Sequence, residues 1–180
     1  MSQLPLHCQS LSSVCRQLKS GALSSVDVTR TMLARCEAHD GKYQSYARML
    51  VDTALAEAQA CDEARQSGAP LGVLHGVPIA IKDLLFTKNV ETASGTEVMR
   101  DFKPDFDATV VTRLRAAGAV IIGKTQLTEG AYGSHHPSIA APVNPWSQDA
   151  WSGVSSSGSG VAVAAGLAYA ALGSDTGGSI

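Results

Sequence analysis

A lysine at the end of an apolar run and two glycine-rich serine segments are the residues in this chain best suited to chemistry. The tract Gly153-Val154-Ser155-Ser156-Ser157-Gly158-Ser159-Gly160 runs straight into the helical Val161-Ala162-Val163-Ala164-Ala165. It therefore reads as a sharp turn into a helix N-terminus, where small residues point backbone donors and hydroxyls into a pocket, and not as a flexible linker. The segment Gly173-Ser174-Asp175-Thr176-Gly177-Gly178-Ser179-Ile180 has the same character. Paired glycines before a serine let consecutive N–H groups converge beside a hydroxyl, as an acyl-transfer nucleophile with an oxyanion hole requires; a tight structural turn is the competing reading. A serine nucleophile needs a base, and His7, His39, His75, His135 and His136 show no partner with a third, orienting acid. Lys82 is the alternative. It follows Val77-Pro78-Ile79-Ala80-Ile81, where loss of solvent lowers an ammonium pKa and leaves an amine able to take a proton. A solvated surface lysine is the bland alternative.

Gly118-Ala119-Val120-Ile121-Ile122-Gly123-Lys124-Thr125 satisfies the phosphate-loop pattern GxxxxGK[ST] letter for letter. Such a loop needs its middle residues as open backbone after a strand and before a helix. Here the middle is a β-branched strand preceded by a helix, so a helix–Gly–strand connection is expected and nucleotide binding is not.

The elements that must position these residues are an alternation of helix and strand. The first 70 residues read as helical: Ser24 caps a helix, Asp27 completes a capping box, and Val28, Met32 and Cys36 share one face until Gly41 ends it. Asp52 to Ser67 forms a second helix closing at Gly68. Gly76 to Ile81 is a buried strand delivering Lys82 and Asp83, Asp107 caps a helix running through Ala117, and Val120-Ile121-Ile122 is the next strand. A helix to about Ala165 and an apolar stretch from Ala168 to Leu172 follow. This alternation implies a layered α/β sheet.

Hydrophobic residues at 44% and charged ones at 17% are enough for a sizeable core. A net charge of −2 without any Lys/Arg block argues against nucleic acid or an anionic membrane as partner. Residues 1–20 lack a secretory pattern and no window approaches 18 unbroken apolar residues, so a cytoplasmic protein is expected. Cys8, Cys15, Cys36 and Cys61 form no CxxC pair, which disfavours zinc and redox motifs.

The run Leu74 to Asp83, the segment from Asp107-Ala108-Thr109 to Gly123-Lys124-Thr125, and the serine blocks ending at Asp175-Thr176-Gly177-Gly178-Ser179 resemble the amidase-signature family, in that family's order, from about Leu71 onward. The resemblance implies an α/β/α fold with a mixed central sheet, incomplete here, in which 1–70 is a helical segment of the same domain and 71–180 its core. It implies amide C–N hydrolysis through an acyl-enzyme, with Lys82 as base, Ser155 as the bridging serine in a cis peptide and Ser179 as nucleophile. Thr176, Gly177, Gly178 and Ser156 then face the oxyanion or substrate. The tract aligned on the family's Gly-Gly-Ser-Ser-Gly-Gly-Ser sets the bridging place at Ser155, with Ser156 as fallback. No cofactor or metal is implied, the partner is a small amide, and a homodimer is compatible. Val154 in place of a second glycine, Gly160 in place of an alanine, and Trp151 resemble general amidases more than the glutamine-dependent amidotransferase subunit, which is the alternative, beside an inactive remnant. By the same analogy, Gly133 to Pro137 and Val143 to Trp146 border a substrate channel. Family domains are more than twice as long, so the chain is expected to stop just after its nucleophile.

Overall fold

The computed structural model describes residues 4–180. The helices are α1 (Leu11–Ser20), α2 (Ser25–Tyr43), α3 (Val51–Gln66), α4 (Thr109–Ala116) and α5 (Ser157–Ala164). The strands are β1 (Tyr46–Met49), β2 (Pro78–Lys82), β3 (Val120–Thr125) and β4 (Ala170–Leu172). They form one mixed sheet in the order β1-β3-β2-β4, with β1 antiparallel to β3 and the other pairs parallel. Strands β2 and β3 are buried along their whole length, which is why both are uninterrupted apolar runs without alternation.

Helices cover both faces. Ala80, Val120 and Ile122 pack with Met32 and Cys36 of α2, Ala54 and Ala58 of α3 and Ala162 of α5. Ile81 and Ile121, one position out of phase, meet Val111 of α4 on the other side. The lone strand in the first 70 residues, β1, was not expected there. Its burial is confined to Tyr46, so it carries no apolar pattern to read.

Two helix ends differ from expectation. α2 runs past Gly41 and stops at Gln44, whose backbone is left-handed (φ 54°). The Asp40 carboxylate accepts the N–H groups of Ser45 and Tyr46 at 2.9 and 3.1 Å and turns the chain there. Asp107 does not cap α4; Ala108 holds that place without a side-chain bond. Asp107 instead accepts from the Lys88 N–H at 2.7 Å and pairs with Arg115 at 3.3 Å. Ser24 caps α2 as expected, accepting from Asp27 N at 3.3 Å, but the acid that answers it is Asp62 of α3. The Asp62 carboxylate takes the Ser24 hydroxyl and the Ser25 and Val26 amides at 2.8 to 3.0 Å.

The phosphate-loop pattern is a strand. Residues Val120–Thr125 lie in β3 after α4, and Gly118 makes the left-handed turn between them (φ 86°). Lys124 is fully buried and paired with Asp83 at 3.1 Å.

The serine tract is fastened to the C-terminal end of β3. Gly158 N donates to Gln126 O at 3.0 Å, Thr128 N to Ser155 O at 3.3 Å, and the Thr125 and Ser159 hydroxyls bond at 2.7 Å. Gly158 is at the closest point, where a Cβ would run into backbone atoms of Ser45 and Gln126. Gly158→Ala is therefore expected to destabilise the fold by about 1–3 kcal/mol, as overpacking does. A urea-unfolding midpoint that does not move would show that the tract can shift away.

Candidate active site

Lys82 is the last residue of β2, flanked by the C-terminal ends of two parallel neighbours: β3, where Thr125 is its partner, and β4, which ends beside Ile81. In a parallel sheet this edge is where loops open and ligands bind. The Lys82 side chain is nonetheless fully buried, and its Nζ lies 2.6 Å from Ser155 Oγ, 2.9 Å from Ser156 Oγ and 3.0 Å from Ser174 Oγ. The peptide joining Val154 to Ser155 is cis. Burial pulls the Lys82 pKa down to about 8, against a partial upward pull from the Asp175 carboxylate.

The three hydroxyls are not equivalent. Ser156 Oγ donates to Ser174 O at 3.1 Å and accepts from Ser174 N at 3.2 Å. Its proton is thus engaged, and toward Lys82 it acts as an acceptor. A neutral amine has two N–H bonds and one lone pair. If Ser156 and Ser174 take the N–H bonds, the lone pair is left for the proton of Ser155, the hydroxyl closest to it. Ser174 is the contact that the sequence reading missed. Its signal was its place two residues beyond β4, at the sheet edge that β2 shares, and not its residue type.

Ser179 is held beside this cluster through its carbonyl, which accepts from Ser156 N at 3.1 Å. Among the described residues no hydrogen bond joins the Ser179 hydroxyl to that of Ser155. Gly177 and Gly178 donate their N–H groups to Asp175 Oδ1 at 3.0 and 2.6 Å, and Ile180 donates to Oδ2 at 3.1 Å. These bonds, Gly178 first, hold the Asp175 carboxyl below the usual carboxylate range. Thr176 is exposed in the same loop. His135 sits behind the tract, with Nε2 at 3.2 Å from Ser157 Oγ, and burial lowers its pKa. A cavity of about 550 Å³ opens between the tract, α5 and the loop that carries Ser179.

The Amidase family model matches residues 27–180. The chain belongs to the amidase family. Over 170 residues it is 55% identical to AmiD of Mycobacterium tuberculosis, a protein named as an amidase, a match covering 94% of this chain and 36% of that protein. A glutamyl-tRNA(Gln) amidotransferase subunit of Marinobacter nauticus is 44% identical over 181 residues, covering 97% of this chain and 37% of that relative. Among solved structures, the peptide amidase of Stenotrophomonas maltophilia superposes with a TM-score of 0.82 at 35% identity, covering 91% of this chain and 35% of that one. Fatty acid amide hydrolase superposes with a TM-score of 0.91 at 27% identity, covering 97% and 31%. This amidase chain thus spans a little over a third of the length of the relatives it matches. Among its described residues no helix is long and apolar enough to cross a membrane.

Proposed function

We propose that this chain carries the catalytic residues for hydrolysis of a carboxylic amide C–N bond in a small substrate, with Lys82 as base, Ser155 as bridge and Ser179 as nucleophile. The observation that carries the reading is the fully buried Lys82 Nζ at 2.6 Å from Ser155 Oγ, with its pKa at about 8. At neutral pH an amine of this kind is deprotonated often enough to take a proton, without histidine or metal.

Lys82 takes the Ser155 proton as Ser155 takes that of Ser179, and the Ser179 oxygen attacks the amide carbon. The tetrahedral oxyanion is held by N–H groups of the Thr176-Gly177-Gly178-Ser179 loop, so the loop must release Gly177 and Gly178 from Asp175 as that charge forms. Each such donor is worth about 2.7–4 kcal/mol of transition-state stabilisation. The proton then passes back along the same chain to the departing nitrogen, the C–N bond breaks, and ammonia or an amine leaves. Water, deprotonated by the same relay, attacks the acyl-Ser179 ester and releases the acid.

The test is ammonia release from primary amides, assayed with the 180-residue chain and within any longer polypeptide that carries it. Ser179→Ala is expected to abolish turnover and acyl-enzyme capture, and Ser155→Ala to lower kcat by about 10²–10⁴-fold, the range of a lost proton-transfer partner. Ser156→Ala, whose hydroxyl proton is bound to Ser174 O, is expected to be milder. Loss on Ser156→Ala with Ser155→Ala unaffected would reverse the assignment of the bridge. The identity to amidotransferase subunits supports a second reading, in which the same serine chemistry releases ammonia from glutamine for transfer. Glutamine as the preferred substrate would favour it.

A further inference from the structure

Building on the amide-hydrolase reading, we infer that His135 is a positioning residue for the reaction: its Nε2 accepts the Ser157 hydroxyl proton and so holds the serine tract in register against Lys82. The two atoms lie 3.2 Å apart. Ser157 directly follows Ser155 and Ser156, whose hydroxyls lie 2.6 and 2.9 Å from Lys82 Nζ, and it is itself buried. Among the described residues no hydrogen bond joins His135 to Ser155 or Ser179, so it acts on the proposed relay only through Ser157.

The start of α5 needs such a hold. Ser156 occupies the N-cap, where a serine hydroxyl ordinarily accepts from a helix amide, yet it makes no such bond here, and its oxygen is turned to Lys82 and Ser174 instead. Before it the Ser155 carbonyl accepts from Thr128 N, and beyond it Gly158 N is tied to Gln126 O and the Ser159 hydroxyl to Thr125. His135 adds a side-chain bond at Ser157, between these anchors. The ring is set to accept. Nδ1 is closed to water and makes no bond of full hydrogen-bonding geometry among the described residues, while the Leu127 carbonyl lies near enough to draw the ring's pKa partly back up against burial. A carbonyl only accepts, so the nitrogen facing it carries the ring proton. With Nε2 given to Ser157 that nitrogen is Nδ1, and the Nε2 lone pair is left for the hydroxyl proton. Burial sets the net direction of the shift, downward, so the ring is neutral at neutral pH.

His135→Ala should lower kcat by about 10–100-fold with KM little changed, the size of effect that a small misplacement of reacting groups produces. His135→Gln, whose side-chain amide reaches the Nε2 position, should restore most of the activity, and His135→Asn, which matches only Nδ1, should not. Ser157→Ala removes a single hydroxyl and should reproduce the loss in a chain that still folds. The double variant His135→Ala/Ser157→Ala should be no worse than either single one. A drifting tract also lets water reach the Lys82 amine, so in both alanine variants its pKa should rise from about 8 toward the ordinary lysine value, with Asp175, the charge that acts on it, left in place. NMR of the chain carrying isotope-labelled lysine, with Lys82→Arg as the assignment control, reads that titration without turnover. An unmoved Lys82 titration, equal losses in the Gln and Ala variants, or additive losses in the double variant overturns the inference even if amides are hydrolysed. A titration that rises as expected in a chain that turns over no amide would instead overturn the hydrolase reading and leave the His135–Ser157 tether standing, so the two failures are told apart.

Discussion

Replacing Lys82 with alanine is expected to lower kcat for amide hydrolysis by about 10²–10⁴-fold, the typical contribution of a positioned general base. The accompanying pH profile separates a base from a packing residue. Burial has drawn the Lys82 pKa down to about 8, and only the deprotonated amine can accept from Ser155. In the unmodified chain kcat/KM should therefore rise with pH, about tenfold per unit below pH 8, and level off above it. In Lys82→Ala that limb should vanish, so the loss narrows as the pH falls and the unmodified chain itself becomes protonated. Lys82→Arg, permanently charged, should be as inactive as the alanine variant. A profile in which the limb near pH 8 persists without Lys82 would assign the titration elsewhere and end the base role. Asp175→Asn should move the limb to lower pH, because the Asp175 charge is what holds the Lys82 pKa up against burial.

Lys124→Met should destabilise the fold by about 3–5 kcal/mol, because it leaves the Asp83 carboxylate buried without its partner. The pair lies at 3.1 Å with both side chains essentially inaccessible. Thr92 Oγ1 accepts from Lys124 at 2.9 Å, and Ala93 N donates to Asp83 at 3.1 Å. Burial pushes the Asp83 carboxyl up and the Lys124 ammonium down, and the opposite charge of each draws the other back. Against a total stability of about 5–15 kcal/mol for an ordinary domain, such a loss would be visible as a large drop in the urea midpoint. The double variant Asp83→Leu/Lys124→Met should recover much of it, since no uncompensated charge remains. Additive losses in the double variant would show that the two groups do not act as a pair. Because Asp83 directly follows Lys82, and its N–H bonds to Thr125 O at 3.0 Å, the pair also locks the strand end from which Lys82 projects.

The elements around the site could be read because their signals are local. The apolar run before Lys82 is a strand because it is buried on both faces, and the serine tract enters α5 because small residues permit that turn. The helix closing at Gly68 ends there because glycine takes the left-handed turn at little cost (φ 74°). Where a side-chain hydrogen bond competes with a glycine or capping signal, the reading failed. Gly41 did not end α2, because Asp40 gathers the amides of Ser45 and Tyr46 further on. Asp107 did not cap α4, because the Lys88 amide and Arg115 claim its carboxylate. The strand β1 was invisible because pairing with β3, and not an apolar pattern, makes it a strand.

The site divides along the same line. Residue types and spacing alone determined that a lysine at a strand end, a serine tract and a Gly-Gly-Ser loop belong to this chain, and their order along it carries the family resemblance. Only the tertiary structure decided that Lys82 is shielded from water and meets Ser155, Ser156 and Ser174 together, and that the Ser156 proton is directed to Ser174 O. It alone decided that Asp175 occupies the loop amides and that Lys124 answers Asp83. Backbone preference acts between residues a few positions apart, whereas a pKa, a shared proton and a buried charge pair depend on which groups approach through space from far along the chain, as Lys82 and Ser155 do across 73 positions.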